Sequence, residues 1–228
     1  MPPPDPTDLP PDSAPERFRR LPVQSRSFQT VTRIVDAASS LLSHTPLDDV
    51  TTTRIAAEAG LSVGALYRFF PDKQSIIDAV ASRHVGDFRN LLQLTVLPVI
   101  EEQFQDLATF DPAVILDRVI DSYVAYLLEH PDFRAISFGH HISAATHERE
   151  TSPQTGLPSL LKNFMLERLG IPNTPELDLK LRVVSEAGER LIAYAFEQPT
   201  ADERNLIIAE MKKMLAAYLF GSDPRRPG

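Results

Sequence analysis

Apolar side chains along this chain recur at intervals of three and four, and the runs end at prolines and glycines. From about residue 25 to 43 they fall at Phe28, Val31, Ile34, Val35, Ala38, Leu41 and Leu42, which is one face of a helix. Thr45-Pro46 closes that run, because the residue before a proline avoids helical dihedrals. The same reading predicts helices over 52–59, 63–70, 73–93, 98–108, 112–129, 132–147, 157–169, 176–197 and 201–220. The breaks fall at Gly60, Pro71-Asp72, Asp111-Pro112, His130-Pro131, Ser152-Pro153, Gly170-Ile171-Pro172 and Gln198-Pro199. No stretch alternates as a half-buried strand does, and no internal repeat is present. The expected fold class is all-α.

Charge divides the chain. The net charge is −8, yet residues 16–89 carry ten Lys/Arg against eight Asp/Glu, and residues 90–228 carry thirteen against twenty. Within 16–35, Arg17, Arg19, Arg20, Arg26 and Arg33 face only Glu16. A mildly basic front module is attached to an acidic body, so overall acidity does not exclude a polyanionic partner for the front. Residues 2–15 hold seven prolines and little to bury, so 1–20 is expected to be a disordered Pro-rich arm. That start does not read as a secretory signal. No run is long and apolar enough to span a membrane. Cysteine is absent, which excludes disulfides and thiolate chemistry and makes a cytoplasmic location the expectation.

The segment 51–70 carries the most information. Two short helices meet at a tight turn containing Gly60, the layout of a helix-turn-helix. Ile55, Ala56 and Ala59 are expected to pack on Leu66, with Leu61 filling the turn beneath. Thr52, Thr53, Ser62, Val63, Gly64, Ala65, Tyr67 and Arg68 are then left facing outward. The run VTTTRIAAEAGLSVGALYRFFPDKQSIIDAV resembles the signature of the TetR family of regulators, over about Ile34 to Val80. The resemblance implies a DNA-binding regulator with a three-helix reader over about 21–73 and a larger ligand-binding and dimerisation body over 74–228.

The same resemblance carries roles onto single positions. Thr52 matches a phosphate-binding position and Thr53 one that reaches a base edge. Ser62, Val63, Gly64 and Ala65 match the tip of the recognition helix. Tyr67 matches a tyrosine that touches backbone or a thymine methyl, and Lys73 a phosphate-binding lysine. Arg68 is open between phosphate, a guanine edge and solvent. Phe69 stands where the family commonly has Tyr or His. It lacks a polar tip, so core packing is expected for it.

The body is expected to enclose a pocket, with Phe104, Tyr123, Tyr126, Leu127, Phe138, His141, Phe164 and Tyr194 as candidate lining. An apolar effector suits such a lining. The resemblance implies that helices 176–197 and 201–220 pair with a second copy as a four-helix bundle. Leu177, Leu181, Val184, Leu191 and Ala195 form one stripe, and Leu206, Ile207, Met211, Met214, Leu215, Tyr218 and Leu219 the other. The partners expected are therefore double-stranded DNA with a palindromic operator, a small effector and a second copy of the chain. A repressor released by its effector is expected, with an activator or an effector-independent regulator as alternatives. His140 and His147 lie seven apart, too far for the i, i+4 pair that chelates one ion. No metal or cofactor is expected. No nucleophile, zinc-protease or phosphate-loop motif is present, so no enzyme is expected.

Overall fold

The computed structural model describes residues 25–98, 111–138 and 141–221. The expected arm over 1–20, and all but the first residue of the expected helix over 98–108, lie outside them.

Local chemistry explains most helix starts. The first helix, α1, spans Ser25–His44 and is followed by a 3-10 turn at Leu47–Asp49. Helix α2 covers Thr52–Glu58, and its N-cap Thr51 accepts a hydrogen bond from the Arg54 amide. Helix α3 covers Val63–Leu66 under the Ser62 cap. Helix α4, Lys73–Leu91, begins with a capping box between Asp72 and Ser75. These caps occupy amides that the first helical turn leaves without partners, each contributing about 1 kcal/mol. Between α2 and α3 the chain reverses at Gly60, whose φ of 63° is the left-handed conformation that glycine adopts without strain. Arg33 of α1 donates to the Ala59 carbonyl and so secures the end of α2.

The body contains α5 (Ala113–Glu129), α6 (Pro131–Phe138), α7 (Ala144–Thr151), α8 (Pro158–Arg168), α9 (Pro175–Phe196) and α10 (Ala201–Phe220). Thr174 and Thr200 cap the last two. Every regular element among the described residues is helical. None of these helices is long and apolar enough to cross a membrane.

Two expectations require correction. The predicted single helix over 132–147 is two helices. Ser143 is extended and caps α7 through the Thr146 amide. Buried Asp78 of α4 holds it there, accepting from the Ser143 amide at 3.0 Å and hydroxyl at 2.6 Å. The predicted helix over 63–70 keeps α-helical form only to Leu66. Beyond it the Phe69 and Phe70 amides both turn back to the Leu66 carbonyl, at 2.9 and 3.1 Å.

Ile34, Ala38, Val50, Ile55, Leu66, Phe70, Ile76 and Val80 are fully buried at the centre of the front module. Ala56 and Ala59 are also buried, as the helix-turn-helix reading expects. This core runs without interruption into that of the body, because α1 and α4 pack on α6. Beyond Leu91 the chain forms a π-helical turn over Leu92–Val96, a distortion often found where a helix borders a functional cavity.

Candidate functional site

Two regions position the side chains singled out from sequence. The first is the face made by α2, α3 and the start of α4. Thr53, Ser62, Gly64, Tyr67 and Arg68 are exposed there, and Thr52, Val63 and Ala65 are half-buried. The Thr52 and Tyr67 hydroxyls lie 3.1 Å apart in a hydrogen bond, so one polar patch joins the start of α2 to the end of the recognition segment. A side chain added at Gly64 would meet nothing within 4 Å. The fold itself does not require glycine there. Phe69 is half-buried and packs against the main core.

Lys73 departs from a free surface cation. Its ammonium donates to the Leu47 carbonyl at 2.6 Å, tying α4 to the 3-10 turn. An ammonium has three donors, so two remain for a phosphate. Lys73→Ala is therefore expected to weaken binding across DNA sequences and to flatten the log–log salt dependence by about one unit. Titrations at several salt concentrations read that slope, and an unchanged slope would leave Lys73 with the internal bond alone.

The second region is a cavity of about 190 Å³ in the body. Its walls come from the second half of α4, from α5 to α9 and from Leu215 of α10. Most of the lining is aliphatic. Tyr123 is on the wall, as expected, and the other described candidates are not. Tyr126 is buried and its hydroxyl bonds His84. Leu127 is fully buried in the core, one turn beyond Tyr123 on α5, and does not reach the wall. Phe138 packs on Phe196 with ring centroids 5.3 Å apart. Phe164 clusters with Ile115 below the wall. The His141 carbonyl accepts from Gln74 at 2.7 Å, and Tyr194 points outward, 46% exposed. Phe104 lies outside the described residues. Wall residues missed by the sequence reading include Phe88, Ser137 and Glu189. Ser137 and Glu189 are polar, so a reading by aromatic residues passes over them, and periodicity alone does not say that the Phe88 face of α4 meets an empty space.

A buried polar network stands between these regions. The Asp132 carboxylate of α6 accepts from Ser39 of α1 and lies 2.7 Å from His84 Nε2 of α4. The other His84 nitrogen lies 2.9 Å from the Tyr126 hydroxyl of α5. His130 stacks on Tyr126 with centroids 4.0 Å apart. His84, His130 and Asp132 place one potential ligand atom each within 4.8 Å of one another. Both ring nitrogens of His84 are already hydrogen-bonded, to Tyr126 and Asp132. Burial alone would raise the Asp132 pKa. Hydrogen bonds from His84 and Ser39, the attraction of His84 and the Phe133 amide outweigh burial and hold it at about 2.

Comparison with known proteins fits this geometry. Residues 34–80 match the bacterial regulatory proteins, tetR family, and residues 111–219 match the tetracyclin repressor-like C-terminal domain. The chain belongs to the TetR family. TetR-family proteins are DNA-binding transcriptional regulators with a ligand-binding C-terminal domain, and they are not enzymes. A TetR-family regulator from Streptomyces coelicolor is 26% identical and superposes with a TM-score of 0.62, covering 83% of this chain and 97% of that one. RolR, solved in complex with resorcinol, is 20% identical with a TM-score of 0.58, over 89% of this chain and 97% of its own. A TetR regulator from Rhodococcus sp. RHA1 is 18% identical with a TM-score of 0.58, over 83% and 97%. No curated protein matches the sequence.

Proposed function

We propose that this TetR-family regulator is a cytoplasmic, dimeric repressor that leaves a palindromic operator when a small, largely apolar effector fills the body cavity. The supporting observation is the course of α4. Its first residue is bonded to the reader through Leu47, and its second half supplies Ala81, Val85 and Phe88 to the cavity wall. One helix thus touches both the DNA-facing module and the ligand space. Gln74 and Asp78 on the same helix grip the segment leading into α7, whose His147 and Glu150 also line the cavity. An effector can shift the reader only by binding one arrangement of α4 better than another. The RolR complex with resorcinol supports a small ring compound as the kind of molecule such a body holds.

The proposed division is a reader over 21–73 and a body over 74–228. Within the reader, Thr52, Tyr67 and Lys73 contact phosphates, while Thr53, Arg68 and the tip from Ser62 to Ala65 face the groove. Selection of bound sequences from random DNA, followed by footprinting, tests the reading. A palindrome with half-sites about one helical turn apart is the expected result. Failure to enrich any sequence at moderate salt would sink it.

A further inference from the structure

We propose that the cavity is built for a neutral, single-ring compound carrying a hydroxyl group, and that it discriminates against carboxylates. This rests on the effector reading above and adds the chemistry of the ligand.

The wall is mostly apolar with a few polar groups. Along α5 it runs through Ile115, Leu116, Val119 and Ile120 and ends at Tyr123. Along α9 Leu181, Val184 and Ile192 flank Ser185 and Glu189. An apolar body with one polar end matches that lining.

Two hydroxyls give the polar end its chemistry. Ser137, on the wall from α6, is 6% exposed. Its Oγ is buried and has no hydrogen-bond partner. A buried hydroxyl left without a partner costs on the order of 1–3 kcal/mol, and native proteins rarely tolerate one. Turning the Ser137 hydroxyl toward the cavity would let a ligand hydroxyl or carbonyl supply the missing bond. Tyr123 packs its ring on Phe88 and Phe133, with centroids 5.1 and 6.4 Å away, while its hydroxyl lines the cavity without a hydrogen bond among the described residues. Burial, then the nearby Glu189 charge, push its pKa above the ordinary tyrosine value. It therefore stays protonated and can donate. Phe133 links the two sites, touching Tyr123 and standing one turn before Ser137 on α6.

Charge sets what the site refuses. Among the described residues the acids on the wall are Glu150 and Glu189, and the one basic side chain is His147. His147 is already placed against Glu186 and Glu189, at 3.2 and 3.8 Å, and Arg149 pairs Glu150 from outside the lining. No lysine or arginine among the described residues lines the cavity. A ligand carboxylate would shed its hydration beside two acids with no free cation to receive it. Volume sets the size. An apolar cavity of about 150 Å³ holds benzene, so 190 Å³ suits one ring with one or two short substituents.

The test uses the full-length protein and three probes of similar size: 3-ethylphenol, ethylbenzene and 3-methylbenzoate. Calorimetric titration is expected to show 3-ethylphenol binding at least tenfold more tightly than 3-methylbenzoate. Ser137→Ala and Tyr123→Phe should each weaken 3-ethylphenol by roughly three- to tenfold, the worth of one neutral hydrogen bond. Neither should weaken ethylbenzene, which makes no such bond and so reports that the cavity still folds. Equal or tighter binding of 3-methylbenzoate, no binding of any probe, or loss of ethylbenzene in step with 3-ethylphenol would overturn the proposal. Adding the probes to the protein–operator complex separates the two readings. Release by the carboxylate alone keeps effector control and overturns the hydroxyl class. Ser137-dependent binding of 3-ethylphenol without release keeps the ligand class and overturns effector control.

Discussion

Asp132→Ala is expected to lower stability by on the order of 3 kcal/mol, the usual consequence of breaking a buried hydrogen-bond network around a carboxylate. In a chain of this size that corresponds to a fall in Tm of about 6–12 °C. The substitution leaves Ser39 and His84 Nε2 without their acceptor in a pocket where Asp132 is 3% exposed. The network joins α1, α4, α5 and α6, so the loss is felt in the reader and the body together. Its pH dependence has a definite sign. The folded pKa of about 2 lies below the ordinary 3.8, so the stabilisation is complete above 3.8 and fades as pH falls through 2. A shift of that size contributes about 2–3 kcal/mol at neutral pH. Asp132→Asn keeps the shape and removes the charge. It should cost less at pH 7 and flatten the acid limb of the stability curve between pH 4 and 2. Thermal melts across that range decide the matter: a Tm within 2 °C of the parent for the alanine variant would mean that the network is incidental.

The parts of this molecule that were legible in the sequence are those set by neighbours in the chain. Proline or glycine marks most of the ends, and Thr51, Ser62, Asp72, Thr174 and Thr200 each accept a bond from the amide three residues on. Such signals act within one turn, so a linear reading finds them. The break before α7 was missed because its cause is distant: Asp78 holds Ser143 from 65 positions away. The His84–Asp132 network was missed for the same reason, since its members are separated by 48 positions. The helix-turn-helix was legible through its family signature. The cavity wall was not, because a helix of the body offers several apolar faces, and only packing decides which one meets a space. Tyr123 and Leu127 lie one turn apart on α5, yet one faces the cavity and the other is enclosed in the core.

The same ambiguity affected the proposed dimer face and changes which residues test it. Leu177, Leu181, Val184 and Ala195 of α9 are buried within the protomer, as are Met211, Leu215 and Leu219 of α10. Gly188 lets Leu215 approach to 3.5 Å of where a Cβ would stand, a close packing within one protomer. Of the expected stripes, Leu206, Met214 and Tyr218 on α10 are left outward, joined on α9 by Leu179, Val183 and Tyr194, each between 40% and 67% exposed. Large side chains at such spacing along two neighbouring helices form a patch of the kind that marks an interface. Arg182, Glu186, Arg190 and Glu197 of α9 are exposed around it, giving the polar rim that interfaces carry. Leu206→Glu combined with Met214→Glu would bury four carboxylates in a symmetric dimer and none in a monomer. Sedimentation is expected to show a monomer that keeps its helical content. Operator affinity should fall by on the order of 100-fold or more, because each half-site then binds without the second held nearby. Leu215→Ala is the contrasting change: it should lower the Tm, through a cavity worth about 2–5 kcal/mol, and leave assembly intact. If the double variant still sediments as a dimer, the outward stripe is not the interface. If Leu215→Ala separates the subunits while the double variant does not, the interface lies on the face that this structure shows buried.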